Sequence, residues 1–153
     1  MLGKSACDLN EAEIRDSAVR YLARREYGIE ELRRKLIQRG AEPDIVEQVV
    51  ADCTEKGLVS DERFTEMYVR MRIRRCFGPM KIRGELRQRG IPDDLISAEL
   101  QVDQEIWVDA AAQWAGRRIH AELDFAQKAK VHRKLMNRGF DYELANAALA
   151  RLT

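Results

Sequence analysis

Three related stretches decide the fold of this chain: ELRRKLIQRG at residues 31–40, KIRGELRQRG at 81–90 and KVHRKLMNRG at 130–139. They begin 50 and then 49 residues apart. Self-similarity at a nearly constant period of this length is typical of a tandem repeat. Each copy carries an apolar pair spaced i, i+4 together with a cluster of positive charge, and each ends in Arg-Gly. We therefore predict one helical unit used three times, with a basic face in each copy.

The residues that recur at the end of each copy are predicted to be structural. With Leu32 at 0° on a helical wheel, Leu36 lies at about 40° and Arg39 at about 340°, close to the core side. An arginine at this place can satisfy the last carbonyls and the helix dipole, and the glycine after it can end the helix. The structural positions of the three copies are Leu36, Arg39, Gly40, Leu86, Arg89, Gly90, Leu135, Arg138 and Gly139.

Helical periodicity extends beyond the motif. The segment that begins at Pro43 has apolar residues at Ile45, Val46, Val49 and Val50, which is the spacing of a buried helical face. No sustained alternation and no Asn-Gly or Asp-Gly turn predicts a strand. We expect an all-α fold of three tandem three-helix repeats that stack into an elongated, curved molecule. The predicted bounds are 1–60, including an N-terminal extension, 61–102 and 103–153.

Charge is arranged in blocks of alternating sign, although the net charge is only +1. Residues 67–92 hold eight basic residues and one acidic residue, and residues 128–138 hold five basic residues and none that is acidic. The flanking blocks, 42–66 and 93–109, are acidic. Opposite blocks cancel in the total but not in space, so a basic stripe that binds a polyanion is compatible with the near-neutral balance.

The candidate contact residues are cations that the helical wheel turns away from the core or that lie in the densest basic run. Arg34, for example, falls at about 200° from Leu32. Phosphate contacts need only positive charge and hydrogen-bond donors, without a fixed spacing. The predicted DNA-binding or filament-binding residues are Arg34, Arg70, Arg74, Arg75, Lys81, Arg83, Arg87, Lys130, His132 and Arg133.

Several classes of protein are disfavoured. The chain has no glycine-rich phosphate loop and no hydrolase or zinc-protease motif, so we expect neither an enzyme nor a cofactor. Cys7, Cys53 and Cys76 form no C-x-x-C pair, and we expect them to be free thiols without a metal. No apolar run reaches the ~18 residues of a membrane span, and the N-terminus lacks the apolar region of a signal peptide. A cytoplasmic protein is expected.

Two further segments carry a resemblance to a known family. LVSDERFTEMYV at 58–69 and CFGPMKIRGELRQRGI at 76–91, together with the three motif copies, resemble the RecX family, whose members regulate the bacterial RecA recombinase. The resemblance spans about residues 18–152. The third copy departs most, with Phe125-Ala126 in place of the aromatic-Gly break of the other two.

The resemblance implies a fold of three three-helix repeats and an inhibitor of recombination with a role in the DNA-damage response. It implies binding to the RecA filament on single-stranded DNA and direct binding to DNA, with double-stranded DNA as a further ligand. It supplies no catalytic residue and no cofactor. We expect a monomer, because no long apolar seam remains once each repeat has its core.

Two other functions are compatible with the residues alone. A three-helix unit can place one helix in the major groove, as in a helix-turn-helix transcription regulator. The chain could also be a helical scaffold that binds proteins, with its basic residues paired to neighbouring acidic helices. The filament hypothesis predicts that changing Arg34, Arg83, Arg87 and Arg133 together to Ala weakens DNA binding and flattens its salt dependence.

Overall fold

The structure, a computed structural model, describes residues 9–153, and Cys7 lies outside them. Over the described residues the chain is helical without a strand, which confirms the predicted all-α class. The nine helices of this region are α1 Glu11–Arg24, α2 Ile29–Gln38, α3 Pro43–Glu55, α4 Asp61–Arg74, α5 Pro79–Gln88, α6 Asp93–Leu100, α7 Gln104–Gly116, α8 Phe125–Asn137 and α9 Tyr142–Leu152. The repeated motif forms the second helix of each group of three, namely α2, α5 and α8. None of these helices is long and apolar enough to cross a membrane.

Polar residues fix where several helices begin. The side chain of Asn10 accepts a hydrogen bond from the Glu13 N–H at 2.9 Å, and that of Asp141 accepts one from Leu144 at 2.8 Å. Asp124 and Gln127 form a capping box at the start of α8. These contacts satisfy N–H groups that have no partner within the first turn of a helix. Because of this cap, Phe125 is the first residue of α8. Its side chain faces solvent, and 88% of its surface is exposed.

The chain divides into two compact units. Unit 1 runs to Thr65 and includes the short segment Arg89–Pro92. Its core is formed by the apolar faces of α1, α2 and α3, where Ile14, Leu32, Leu36 and Val49 are fully buried. The motif pair spaced i, i+4 therefore lies at the centre of this unit.

Unit 2 comprises Glu66–Gln88 and Asp93–Thr153. Its buried residues include Ile82 and Leu86 of α5, Leu135 of α8 and Phe140, each of them fully inaccessible to solvent. Helix α7 adds its apolar face to α9, and α8 packs on α9 as well. The i, i+4 pair of the middle copy and the leucine of the third copy thus occupy core positions.

Within unit 2, the end of α8 meets the beginning of α5. The Gly78 N–H donates to the Arg138 carbonyl at 2.8 Å, and the Met80 N–H donates to the Gly139 carbonyl at 3.0 Å. Donors that are unpaired at the start of one helix are therefore satisfied by carbonyls just beyond the end of another. This contact fixes the Arg-Gly turn of the third motif beside the loop that precedes the second motif.

Candidate nucleic-acid interface

One pocket of unit 2 is lined almost entirely by arginine. Its volume is about 490 Å³, and its lining contains no carboxylate. Three structural elements supply it, namely the end of α4, the end of α7 and the residue after α8. We call it the arginine pocket, and it is lined by Arg74, Arg75, Cys76, Trp114, Arg117, Arg118 and Arg138.

Arg138 is held in place by main-chain acceptors. Its Nε donates to the Cys76 carbonyl at 2.9 Å, and a terminal nitrogen of its guanidinium donates to the Arg75 carbonyl at 2.7 Å. The guanidinium also lies 4.0 Å from the centroid of the Phe77 ring. Burial lowers the pKa of Arg138 from its ordinary value, and the charges of Arg118 and Arg72 act in the same direction. The local field is therefore already positive, yet arginine remains charged because its ordinary pKa is so high.

Trp114 forms the apolar part of the wall. The guanidinium of Arg118 stacks over its ring at 4.0 Å and donates to its carbonyl at 3.0 Å. Only 9% of the Trp114 surface is exposed, so its face is not open to a stacking base. Its indole N–H is buried and has no hydrogen-bond acceptor within residues 9–153. This N–H is thus a buried donor without a partner in the described residues.

The remaining cations of the pocket are exposed. Arg74, Arg75 and Arg117 form no ion pair with any carboxylate in the described part of the chain. Guanidinium groups bind phosphate oxygens through forked N–H donors. A concave surface that carries only such donors and excludes acidic side chains is suited to an anion with several acceptor oxygens.

The corresponding pocket of unit 1 contains a carboxylate. A pocket of about 260 Å³ there is lined by Arg25, Glu31, Arg34, Lys35, Gln38 and Arg89. Glu31 accepts from Arg25 at 3.0 Å and from Arg89 at 2.6 Å. The repeat offset of 50 residues places Lys81 where the first copy has Glu31. The second copy therefore carries a cation at the position where the first copy has the paired acid Glu31.

Most predicted contact residues of the first two repeats have partners on the protein. Arg87 pairs with Asp93 at 2.7 Å, and Arg70 pairs with Glu66 at 2.5 Å. Arg34 lies 3.6 Å from Glu30. Arg83 donates to the Ser97 hydroxyl at 3.0 Å. Exposed pairs of this kind contribute little stability and can exchange for a phosphate, but each partner reduces the local positive potential.

The third motif copy is less neutralised. Lys130 and Arg133 are exposed and have no ion-pair partner among residues 9–153, and the same holds for Lys81 of the second copy. His132 is half-buried, with its ring 4.7 Å from that of Tyr142 in an edge-on arrangement. Of the predicted residues, only Arg74 and Arg75 line the arginine pocket together with the predicted structural residue Arg138.

The motif arginines contact groups outside their own helices. Arg138 donates to the loop after α4, and Arg89 pairs with Glu31 on α2. Both contacts therefore reach the preceding repeat, whereas the helical wheel suggested the carbonyls of the same helix. Arg39 of the first copy has no preceding repeat, and its side chain is exposed.

Sequence reasoning missed Arg117 and Arg118, although the chain contains a signal for them. The pair Arg-Arg ends the first helix of every group of three, at 24–25, 74–75 and 117–118. The offset changes from 50 to 43 residues, which hides the third pair from a search at constant period. Trp114 is buried in unit 2 and also lines the pocket.

Comparison with known proteins agrees with this architecture. Models of the first, second and third three-helix domains of RecX match residues 15–53, 60–100 and 104–149. The chain belongs to the RecX family. This result confirms the resemblance seen in the sequence and the predicted organisation as three-helix repeats.

Individual RecX proteins are similar over most of their length. Regulatory protein RecX of Legionella pneumophila (strain Corby) is 40% identical over 131 residues, which cover 84% of this chain and 87% of that protein. The RecX of Chromohalobacter salexigens is 39% identical over 141 residues, covering 92% and 93%. The crystal structure of RecX from Lactobacillus salivarius superposes with a TM-score of 0.83 at 20% identity, covering 93% and 96% of the two chains. That last likeness shows a common fold.

Proposed function

We propose that this RecX-family regulator inhibits a RecA-type recombinase by binding its filament on single-stranded DNA. Membership of a family of regulatory proteins supports a regulatory role. The observation that carries the DNA-binding part is the arginine pocket, whose five guanidinium groups face no carboxylate in the pocket lining. DNA phosphates supply the acceptors that this lining lacks.

The affinity for DNA should be largely electrostatic. Each phosphate that a cation neutralises releases counterions, so binding weakens as the salt concentration rises. Arg74, Arg75 and Arg117 can contribute fully because they give up no ion pair with a carboxylate of residues 9–153. Arg70 and Arg87 must first leave Glu66 and Asp93. We therefore expect the pocket residues to contribute more than the outward-facing motif arginines.

Binding of this kind would act on the recombinase by shifting an equilibrium. A ligand stabilises whichever filament state it binds better. A regulator that engages DNA phosphates and the surrounding protein in one state opposes the changes that ATP turnover requires. Acidic side chains, such as the exposed Asp94 and Glu143, provide contacts for basic surfaces of the recombinase.

The test adds purified protein to RecA filaments on single-stranded DNA and follows ATP hydrolysis. We expect inhibition by the wild type at less than one molecule per recombinase subunit. The double variant Arg74→Gln/Arg117→Gln should inhibit more weakly, with no loss of folding, because both side chains are exposed. Unchanged hydrolysis with the wild type would refute the proposed function.

A matched control separates the pocket from net charge. Arg20→Gln/Arg24→Gln removes the same charge from exposed positions of α1 that form no ion pair within residues 9–153. This variant should inhibit like the wild type. Equal weakening of both double variants would show that total charge, rather than the arginine pocket, mediates the effect. Light scattering at the working concentration checks that the active species is a monomer.

A further inference from the structure

We propose that the arginine pocket binds a terminal phosphate group in preference to the phosphodiesters in the interior of a nucleic-acid strand. The inference deepens the proposed function and rests on it for taking DNA as the first source of that phosphate. Its physical basis is the match between the number of donors that converge in the pocket and the charge of the ligand.

The pocket concentrates more positive charge than one phosphodiester can balance. Five arginines line about 490 Å³, and the lining includes no acidic residue. An interior phosphodiester carries one negative charge, whereas a phosphomonoester carries about −1.5 to −2 near pH 7 and has three strongly accepting oxygens. The guanidinium groups of the lining are cationic hydrogen-bond donors. They can therefore contact both the additional negative charge and the additional acceptor oxygens of a terminal phosphate.

The pocket lining lacks the open aromatic surface that a passing single strand would use. Proteins that follow single-stranded DNA use an open basic groove with aromatic faces on which bases stack. Here the ring of Trp114 is 91% buried, and Arg118 covers it at 4.0 Å. No open ring face in the pocket lining is left for a base, since Trp114 is the only aromatic residue in that lining. The pocket thus recognises phosphate without recognising a nucleobase.

The indole N–H of Trp114 is an unpaired buried donor in the residue that forms the apolar wall of the pocket. A buried donor without an acceptor costs about 1–3 kcal/mol. The Trp114 N–H has no acceptor in the described part of the protein, and Trp114 lines the pocket. Arg138, by contrast, is already fixed by the carbonyls of Arg75 and Cys76, so its guanidinium is preorganised before the ligand arrives.

Two sources provide this chemistry, namely the 5′ end of a DNA strand and a nucleoside triphosphate. The experiment measures the affinity of the purified protein for one single-stranded oligonucleotide of about ten nucleotides, a length typical of single-strand sites. It is prepared with a 5′-phosphate and with a 5′-hydroxyl. We expect the phosphorylated strand to bind about tenfold more tightly, the factor that one charge-assisted hydrogen bond provides.

Variants assign the preference to the pocket. Arg74→Gln/Arg117→Gln should bind both strands with nearly equal affinity, and Arg20→Gln/Arg24→Gln should keep the preference. Competition by ATP distinguishes the two sources. Displacement of the phosphorylated strand from the wild type shows that nucleotides bind as well, and a lack of displacement leaves the DNA end as the ligand.

Two results would overturn the inference: equal affinity of the wild type for the two strands without binding of ATP, or a preference that persists in Arg74→Gln/Arg117→Gln. Because no recombinase is present, this failure is distinct from that of the proposed function. A preference for the 5′-phosphate without inhibition of ATP hydrolysis would leave the pocket assigned and the regulatory role refuted.

Discussion

The guanidinium of Arg138 donates through Nε to the carbonyl of Cys76 across 2.9 Å, so it caps the C-terminal end of a helix 62 residues earlier in the chain. The Arg75 carbonyl accepts a second bond from the same group. Helix α4 ends at Arg74, and positive charge at this end of a helix is favourable. The arginine that closes the third motif therefore links two repeats and builds one side of the arginine pocket.

Replacing Arg138 by Ala should lower the free energy of unfolding by about 1–3 kcal/mol. The change removes two charge-assisted hydrogen bonds and leaves the carbonyls of Arg75 and Cys76 with one acceptor site unfilled. It also removes the contact with the Phe77 ring. Urea unfolding followed by circular dichroism measures the effect.

The matched control is Arg133→Ala on the same helix, where the side chain is exposed and the expected cost is below about 0.5 kcal/mol. Arg138→Lys should recover less than half of the loss, because ammonium lacks the planar fork. Equal stability of the two alanine variants would contradict the structural role of Arg138.

Lys81→Glu should weaken binding to single-stranded DNA about tenfold at low salt. The slope of log affinity against log salt concentration should become shallower by about the amount that one phosphate contact contributes. Lys81 lies against the Gly139 turn, next to Arg138. A carboxylate there would lie beside Arg138, as Glu31 lies beside Arg89 in unit 1, and would reduce the positive charge next to the arginine pocket. Fluorescence anisotropy across a salt series measures both quantities.

Lys56→Glu is the control for that variant, since it makes the same change in net charge at an exposed position of unit 1. It should leave the salt dependence almost unchanged. If Lys81→Glu and Lys56→Glu weaken DNA binding by the same factor, the net charge of the protein determines the affinity and Lys81 has no special role.

Glu31→Lys replaces the acid of the first motif copy by the lysine found at the equivalent position 81, and it should destabilise unit 1. Two arginines, Arg25 and Arg89, share the carboxylate of Glu31. Burial is the largest effect on the pKa of Arg25 and lowers it, but the hydrogen bond and the charge of Glu31, together with Tyr27, outweigh burial, so the pKa is raised. We expect a loss of about 1–2 kcal/mol, less than for a fully buried pair, because both arginines are partly exposed. A melting temperature equal to that of the wild type would show that the cluster contributes no stability.

The secondary structure and the repeat could be predicted from the sequence because both depend on short-range patterns of residues. The i, i+4 apolar pairs set which face of α2 and α5 is buried, and Leu36 and Leu86 are both inaccessible. The Arg-Gly ends mark where each motif helix stops. Both signals depend on residues within one turn of each other, so they are readable without knowledge of tertiary contacts.

The arginine pocket could not be predicted in the same way. It depends on which acidic side chain lies near each cation in space: Asp93 pairs with Arg87, whereas Arg117 forms no ion pair with a carboxylate of residues 9–153. From the charge pattern along the chain, Arg83 and Arg87 were predicted to be contact residues in the same way as Arg74 and Arg75. The structure separates these residues because hydrogen bonds to neighbouring groups depend on how helices pack.

The burial of Asp61 predicts a dependence of stability on pH. Burial raises the pKa of this carboxyl, although the hydrogen bond from the Ile29 N–H acts to lower it. A folded-state pKa above the unfolded value of about 3.9 means that the folded protein binds the proton more tightly. Stability from this group therefore falls as pH rises from the unfolded pKa through the folded pKa.

Asp61→Asn keeps an oxygen for the Ile29 N–H and removes the ionisation. Relative to the wild type, this variant should become more stable as pH is raised from about 3 to about 7. Urea unfolding at several pH values gives the difference. The opposite trend, in which the wild type becomes relatively more stable as pH rises, would mean that the hydrogen bond outweighs burial.

Gly139→Ala should be among the most damaging single changes in unit 2. Gly139 has φ = 100° and a Cβ there would lie 2.5 Å from Lys81 Cβ and 2.6 Å from Lys81 N.

Gly57 separates the effect of the positive φ from that of the steric contact, because it has φ = 70° but open space around an added Cβ. Gly57→Ala should cost about 1–2 kcal/mol, the penalty for a left-handed residue. Gly139→Ala should cost at least about 2 kcal/mol more, because main chain must move and the bonds from Gly78 and Met80 are disturbed. Equal losses in urea unfolding would show that the turn after α8 does not press on α5.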